Sequence, residues 1–114
     1  MITLKGIDPN MIANNIEPLE PTHPGSIIKE EIESRGITQK EFAAQTGLSR
    51  SVLNDILNEK RSVNIEYALL FEAALGIDAD FWISMQNRYD IIKVKRNKSF
   101  SQRLEKIRKY AAML

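Results

Sequence analysis

Hydrogen-bonding side chains cluster on one face of a short predicted helix near the middle of the chain. Arg50, Ser51 and Asn54 lie on this face together with Asp55 and Asn58. An arginine can donate two hydrogen bonds to guanine O6 and N7, and an asparagine can bond adenine N6 and N7 in the same paired way. These residue types at helical spacing indicate a surface that contacts base edges in the major groove of DNA.

The residues around this face predict two short helices joined by a tight turn. Thr38 and Glu41 have the spacing of a capping box, which starts the first helix. Gly47 ends it, because glycine readily takes the left-handed conformation that closes many helices. Ser49 caps the second helix, whose apolar residues recur with helical periodicity at Val52, Leu53, Ile56 and Leu57. The pair predicts a helix-turn-helix motif, whose second helix enters the major groove.

Helical periodicity predicts further helices on both sides of the motif. One covers residues 26–34, and Asn64 and Asp78 cap two helices that follow. The predicted fold class is all-α: a five-helix, repressor-like helix-turn-helix domain with an N-terminal arm and an extra basic C-terminal helix. The predicted parts are the arm (1–21), the DNA-binding domain (22–95) and the C-terminal helix (96–114).

The N-terminal arm carries a weak pattern. Ile2, Leu4 and Ile7 alternate with polar residues, which permits a short strand, and Asp8 and Pro9 can open a brief helix. An arm that packs on its own domain, a dimer arm and a flexible linker all stay open.

The C-terminal helix is basic and carries an apolar seam, which consists of Phe100, Leu104, Ile107, Ala111 and Leu114. The spacing of the seam is that of an interface between two helices. From residue 88 onward the charge is +7, so residues 1–87 carry −6 within the net charge of +1. Because burying a seam stabilises more than an exposed ion pair does, we expect this helix to pack on the domain or on a dimer mate. A helix on a membrane surface is the alternative.

An aromatic stripe marks one face of the fifth predicted helix. It contains Phe81, Trp82, Met85, Tyr89 and Ile92 at helical spacing. Such a stripe serves as core, as a subunit interface or as a ligand pocket. We predict a dimer interface formed by Phe81, Trp82, Met85 and Tyr89, with Trp82 in the core, the interface or both.

The composition argues against several classes of chemistry. The 114 residues include no cysteine and one histidine, which excludes disulfides and argues against a zinc site. No glycine-rich phosphate loop and no pair of nucleophile and histidine occurs, so we expect no enzyme, no catalytic residues, no cofactor and no metal. His23 is expected to be a turn or capping residue. No apolar run approaches the roughly 20 residues of a membrane span, and the predicted location is cytoplasmic.

Several motifs, taken together, are similar to those of one family. They are His23-Pro24-Gly25 and residues 38–43, 47–51, 57–61, 80–82 and 86–90. The chain resembles HigA-type antitoxins, which belong to the phage-repressor-like (XRE/Cro) class of helix-turn-helix proteins. The resemblance covers about residues 22–92 and leaves both ends unmatched.

This resemblance implies a cytosolic antitoxin that represses its own operon and neutralises an mRNA-cleaving toxin. Its implied partners are double-stranded operator DNA, the cognate toxin and a second copy of the chain, with no membrane. The implied DNA-binding residues are Gln39, Ser49, Arg50, Ser51, Asn54, Asn58, Lys60 and Arg61. A stand-alone helix-turn-helix transcriptional regulator and a protein-binding antitoxin without DNA affinity are the alternatives.

Overall fold

The computed structural model describes residues 20–114, and every regular element in that range is an α-helix. The helices are α1 (Pro24–Ser34), α2 (Gln39–Thr46), α3 (Arg50–Leu57), α4 (Ile65–Leu75), α5 (Ala79–Lys95) and α6 (Lys98–Ala112). The all-α prediction is confirmed. The predicted strand and brief helix of the N-terminal arm lie outside the described residues. None of the described helices combines the length and the apolar character that crossing a membrane requires.

Side chains from α1 to α5 meet in one core. Ile28 of α1 and Ile56 of α3 have no exposed surface, and neither has Phe42 of α2. The rings of Phe42 and Phe71 stack with centroids 5.9 Å apart, and Trp82 meets Phe71 edge-on at 6.4 Å. Each such buried side chain stabilises the fold by about 1.5–3 kcal/mol. This core fixes α2 and α3 on the other three helices.

The predicted caps of the helix-turn-helix are present. The Glu41 backbone N–H donates to the Thr38 hydroxyl at 3.1 Å, and the Thr38 backbone N–H donates to Glu41 Oε1 at 2.9 Å. The bond from the Thr38 backbone N–H holds the pKa of Glu41 below its ordinary value, and the Thr38 hydroxyl, which donates to Glu41 Oε1 at 3.2 Å, adds to this effect. Gly47 closes α2 with φ of 77°. The Ser49 hydroxyl accepts from the Val52 N–H at 3.1 Å and starts α3.

The prediction that the Asp78 side chain caps α5 is wrong. Asp78 occupies the N-cap position of α5, but its side chain makes no capping hydrogen bond. Glu72 of α4 supplies the acceptor instead, since the Ala79 N–H donates to Glu72 Oε2 at 3.4 Å. Local sequence favours Asp78, whereas the packing of α4 against α5 brings Glu72 to the same place.

The His-Pro-Gly segment joins the start of α1 to the end of α3. His23 is 2% exposed and caps α1, because its Nδ1 accepts from the Gly25 N–H at 2.9 Å. The helix therefore starts at Pro24, earlier than predicted, and the capping role expected for His23 is confirmed. A Cβ at Gly25 would overlap the Ile56 carbonyl oxygen and lie 2.9 Å from its carbonyl carbon. Glycine at this position thus allows the backbones of α1 and α3 to touch.

Stability is expected to fall as the pH drops below the ordinary histidine pKa. Burial lowers the pKa of His23 from 6.5, although the charges of Glu59 and Asp90 oppose that shift. Just below pH 6.5 the unfolded chain therefore binds more protons than the folded chain. As the pH is lowered from 6.5 to the folded-state pKa of His23, the free energy of unfolding decreases. The slope cannot exceed about 1.4 kcal/mol per pH unit for one proton.

Thermal unfolding of the wild type and of His23→Asn across this range tests the assignment. Asparagine is a good N-cap acceptor that does not titrate, and the chain has no other histidine. As the pH is lowered, the melting temperature of the wild type should decrease more steeply than that of the variant. Parallel curves would rule out His23 as the titrating group.

The last helix forms as predicted, but the rest of residues 20–114 does not bury its apolar seam. The Asn97 side chain caps α6 by accepting from the Phe100 N–H at 2.9 Å, and the Ser101 hydroxyl donates to the Lys95 carbonyl at 2.8 Å. No residue of α6 is buried, and Ile107 is 56% exposed. Packing of the seam on its own domain is therefore wrong for the described residues. Packing on a dimer mate stays a prediction.

Candidate nucleic-acid interface

A shallow depression between α2 and α3 brings together residues from both helices. Gln39 at the start of α2 lines it with Arg50, Ser51 and Asn54 of α3. All four side chains are exposed. The opposite face of α3 is buried through Leu53, Ile56 and Leu57, so the core orients these polar groups outward. The structure thus places Arg50, Ser51 and Asn54, which were predicted to contact base edges, on one surface beside Gln39, another of the implied DNA-binding residues.

Arg50 keeps its hydrogen-bonding capacity. It is the first residue of α3, and within residues 20–114 its guanidinium has no protein partner. An arginine carries five N–H donors in a planar fork. All of them are available to a ligand that approaches α3 from solvent.

Asn54 and Asn58 form a hydrogen-bonded pair along α3. The Asn58 Nδ2 donates to the Asn54 Oδ1 at 3.1 Å, on the exposed side of the helix. The Asn54 Oδ1 has a second lone pair, and its own amide protons stay free, so it can still bond adenine in a paired way. Asn58 is therefore placed to orient Asn54, in addition to lying at the start of the following loop.

The remaining predicted contact residues lie on the edges of this surface. The Ser49 hydroxyl is used as the cap of α3, which leaves its proton as a donor. The loop after α3 presents Lys60 and Arg61, both exposed. Glu59 turns this loop with φ of 65°, in the left-handed region, and the Lys60 N–H donates to the Asp55 carbonyl at 2.7 Å. Both cations are thus held next to the end of α3.

Arg61 differs from Arg50 because it has an internal ion-pair partner. Its Nη2 lies 3.4 Å from Asp55 Oδ2, and the two side chains are 43% and 36% exposed. An exposed pair of this kind is worth about 0–1 kcal/mol, so a phosphate can replace the carboxylate at low cost. Arg61 suits a contact to the DNA backbone.

Arg61→Ala is expected to weaken binding to specific and random DNA alike and to lower the salt slope of log K by about one unit, as the loss of one phosphate contact does. Asp55→Asn is the matched control, because it frees Arg61 and should tighten binding to both DNAs slightly. Binding titrations at several salt concentrations measure both effects. An unchanged slope for Arg61→Ala would exclude the phosphate contact.

Gln86 of α5 is a positioning residue that the sequence analysis missed. It is 4% exposed, and its Oε1 accepts from the Val63 N–H at 2.8 Å, while its Nε2 donates to Asp90 Oδ1 at 3.0 Å. This bond ties the loop that carries Lys60 and Arg61 to α5. In the sequence, the position of Gln86 one turn after Trp82, on the buried side of the predicted helix, could have indicated this role.

The predicted dimer face of α5 divides into a core part and a surface part. Trp82 has no exposed surface, so it cannot be buried further by a partner, and it leaves the set of interface candidates. Phe81 is 43% exposed. It lines an apolar groove with the half-buried Met85 and Tyr89, and the other lining residues are Pro21, Thr22, Ser84, Arg88 and Ile92. Tyr89 also meets His23 edge-on at 4.8 Å, so it contributes to the fold as well.

Comparison with known proteins identifies relatives of similar sequence. A family model for the helix-turn-helix (HTH_3) matches residues 28–82. Virulence-associated protein A' of Dichelobacter nodosus is 35% identical over 75 residues, and the match spans 65% of each chain. Virulence-associated protein I of the same organism is 32% identical over 77 residues, which cover 67% of this chain and 71% of the relative. The chain thus spans slightly less than two thirds of the first relative and more of the second.

Solved structures of two other proteins are similar to this chain in fold. An addiction module antidote protein of the HigA family from Coxiella burnetii is 28% identical, with a TM-score of 0.69 over 77% of this chain and 95% of that chain. PA4674 of Pseudomonas aeruginosa, solved in complex with its operator DNA, is 27% identical, with a TM-score of 0.61 over 65% of this chain and 81% of that chain. Both share this fold over most of their length.

Proposed function

Because this chain belongs to the helix-turn-helix family and shares its fold with a HigA-family antidote protein, we propose that it is an antitoxin that binds operator DNA through α3. The observation that carries this proposal is the depression where Gln39, Ser51 and Asn54 surround Arg50, whose guanidinium has no partner among residues 20–114. These side chains are polar and exposed, and three of them project from one face of α3, which is the arrangement that direct base contact requires. PA4674, which shares this fold, was solved in complex with its operator DNA, which supports the binding of operator DNA.

The proposed contacts divide by chemistry. Arg50 and Asn54 contact base edges, with Ser51 beside them, because they project from the outer face of α3. The other groups contact the phosphate backbone and set the position of α3 in the groove. They are Gln39, Ser49, Asn58, Lys60 and Arg61.

Binding to the DNA upstream of its own gene tests the repressor part of the proposal. The protein should bind that DNA in preference to random DNA of the same length, and the preference should persist at physiological salt, where purely electrostatic binding weakens. Equal affinity for both DNAs would contradict operator recognition, and no binding to either DNA would favour a protein-binding antitoxin without DNA affinity.

The antitoxin part requires a separate experiment. The product of the neighbouring gene should arrest growth and cleave mRNA when expressed alone, and co-expression of this chain should restore growth. Arg50→Ala is the control that separates the two activities, because it removes a DNA contact and should still restore growth. No rescue by either protein would favour a stand-alone transcriptional regulator.

A homodimer is proposed as the DNA-binding form, with the α5 groove as its interface. A two-fold dimer matches a palindromic operator, and the groove offers Phe81 and Met85 as apolar surface. Met85→Glu should raise the dimer dissociation constant at least about tenfold, since it places a charge in an apolar contact. Ile91→Glu is the matched control on another face of α5, where 54% of the side chain is already exposed. Sedimentation in which both variants behave alike would place the interface elsewhere.

A further inference from the structure

Two exposed apolar stripes lie on different helices, and neither is covered by the described part of the chain. The first is the α6 seam, in which Ile107 is 56% and Phe100 is 39% exposed. The second, which we call the α4 stripe, consists of Ile65, Leu69 and Ala73, four residues apart and therefore on one helix face. Ile65 is 68% and Leu69 is 51% exposed. Ala73 continues the stripe into a depression lined by Gln45, Thr46, Leu70, Ala73 and Ala74.

The charges beside the two stripes have opposite signs. In α6, Arg103 lies one helical turn from Phe100 and Ile107, and Arg108 lies one turn from Leu104 and Ala111, so an arginine borders each side of the seam. In α4, Glu66 and Glu72 each lie one turn from Leu69, on opposite sides of the stripe. The two faces are thus complementary in both apolar pattern and charge.

These charged groups are available for pairing. Arg103 and Glu66 have no side-chain partner among residues 20–114. Arg108 makes one pair, with Glu105 at 3.3 Å, and both side chains are more than 60% exposed, so this pair can exchange at little cost. Glu72 uses one oxygen for the Ala79 N–H and keeps the other.

The α6 seam does not reach the α4 stripe of its own chain. The bond between Gln86 and Val63 places the middle of α5 beside the start of α4. From Gln86, α5 continues to Lys95, about 14 Å further at 1.5 Å per residue, and α6 begins only there. The hydrogen bond from Ser101 to the Lys95 carbonyl fixes the corner. Within residues 20–114, therefore, neither stripe covers the other in a single copy.

We infer that α6 of one copy docks along the α4 stripe of a second copy. Charge decides against two other apolar surfaces of this chain: two α6 seams would oppose arginines to arginines, and Arg88 lines the α5 groove. The lengths agree, because the seam from Phe100 to Ala111 rises about 16 Å and the stripe about 12 Å. In a two-fold pair both α6 helices dock at once, which doubles the contact. This contact rests on neither the α5 interface nor DNA binding.

Disulfide trapping tests the docking, since the chain has no cysteine of its own. Leu69→Cys protein mixed with Ile107→Cys protein under mild oxidation should give a crosslinked dimer joined by these two positions, identified by peptide mass spectrometry. Met85→Cys replaces Leu69→Cys in a parallel mixture that reports on the α5 groove. Crosslinks that form equally well with Met85→Cys, or mainly between two Ile107→Cys chains, would overturn the proposal.

Charge reversal gives an independent measurement that does not depend on the register of the two helices. The double variant Arg103→Glu/Arg108→Glu and the single variant Glu66→Arg should each raise the dissociation constant for self-association about tenfold, and their combination should recover a large part of the loss. Lys106→Glu/Lys109→Glu is the matched control, because it makes the same change of charge away from the seam. Sedimentation without DNA measures all four proteins. The proposal would be overturned if the combined variant associates as weakly as either of its parts, or if the lysine control weakens association equally. Neither result would contradict the proposed binding of operator DNA.

Discussion

A protein carrying Gly25→Ala is expected to lose about 3 kcal/mol of its free energy of unfolding, or to fail to fold. The added methyl group would overlap the Ile56 carbonyl oxygen and lie 3.0 Å from the His23 Nδ1. A backbone carbonyl cannot rotate away as a side chain can, so α1 must move from α3 and expose core surface. The sign of the change in the free energy of unfolding is informative, because alanine in a helix otherwise stabilises by about 0.5–1 kcal/mol relative to glycine.

Urea unfolding followed by the fluorescence of Trp82 measures this loss. Trp82 is the single tryptophan of the chain and lies in the core, so its signal reports on the packing that α1 completes. Gly36→Ala is the matched control: a Cβ there meets nothing within 4 Å, but the φ of +71° is unfavourable for alanine. The control should lose about 1–2 kcal/mol. A loss for Gly25→Ala no larger than that of the control would refute the close approach of α1 and α3.

Arg50→Ala is expected to reduce operator affinity by about 1–3 kcal/mol, which corresponds to roughly 5–150-fold, and to relax the preference at one base pair. The reason is the exposed, unpaired guanidinium at the start of α3, whose donors meet no other protein group among residues 20–114. No hydrogen bond or ion pair within residues 20–114 is lost with the side chain, so the melting temperature should stay near that of the wild type. Affinity for random DNA should fall much less.

Arg50→Lys separates the role of shape from that of charge. Lysine keeps the positive charge but lacks the planar fork that bonds guanine O6 and N7 together. It should retain binding to random DNA and lose most of the specificity, with titrations on the operator and on operators changed at single base pairs as the readout. An equal loss on operator and random DNA for Arg50→Ala would assign Arg50 to the phosphate backbone instead.

The helix boundaries of the DNA-binding motif could be predicted because they depend on neighbouring residues. The capping box of Thr38 and Glu41, the left-handed Gly47 and the cap by Ser49 each act within four residues of chain, and the structure contains all three. The same locality explains the correct prediction of α6, which begins at the cap by Asn97. The polar face of α3 follows from the periodicity of its apolar face.

The sequence by itself thus determined where the two helices of the motif begin and end and which face of α3 is polar, because caps and periodicity are properties of adjacent residues. Only the tertiary structure decided which distant groups meet. Glu72 replaces the side chain of Asp78 as a cap, Gln86 holds the loop at Val63, and Trp82 belongs wholly to the core. These outcomes depend on how α4 and α5 cross, and a crossing is set by the packing of complete side-chain surfaces, which no short stretch of sequence contains.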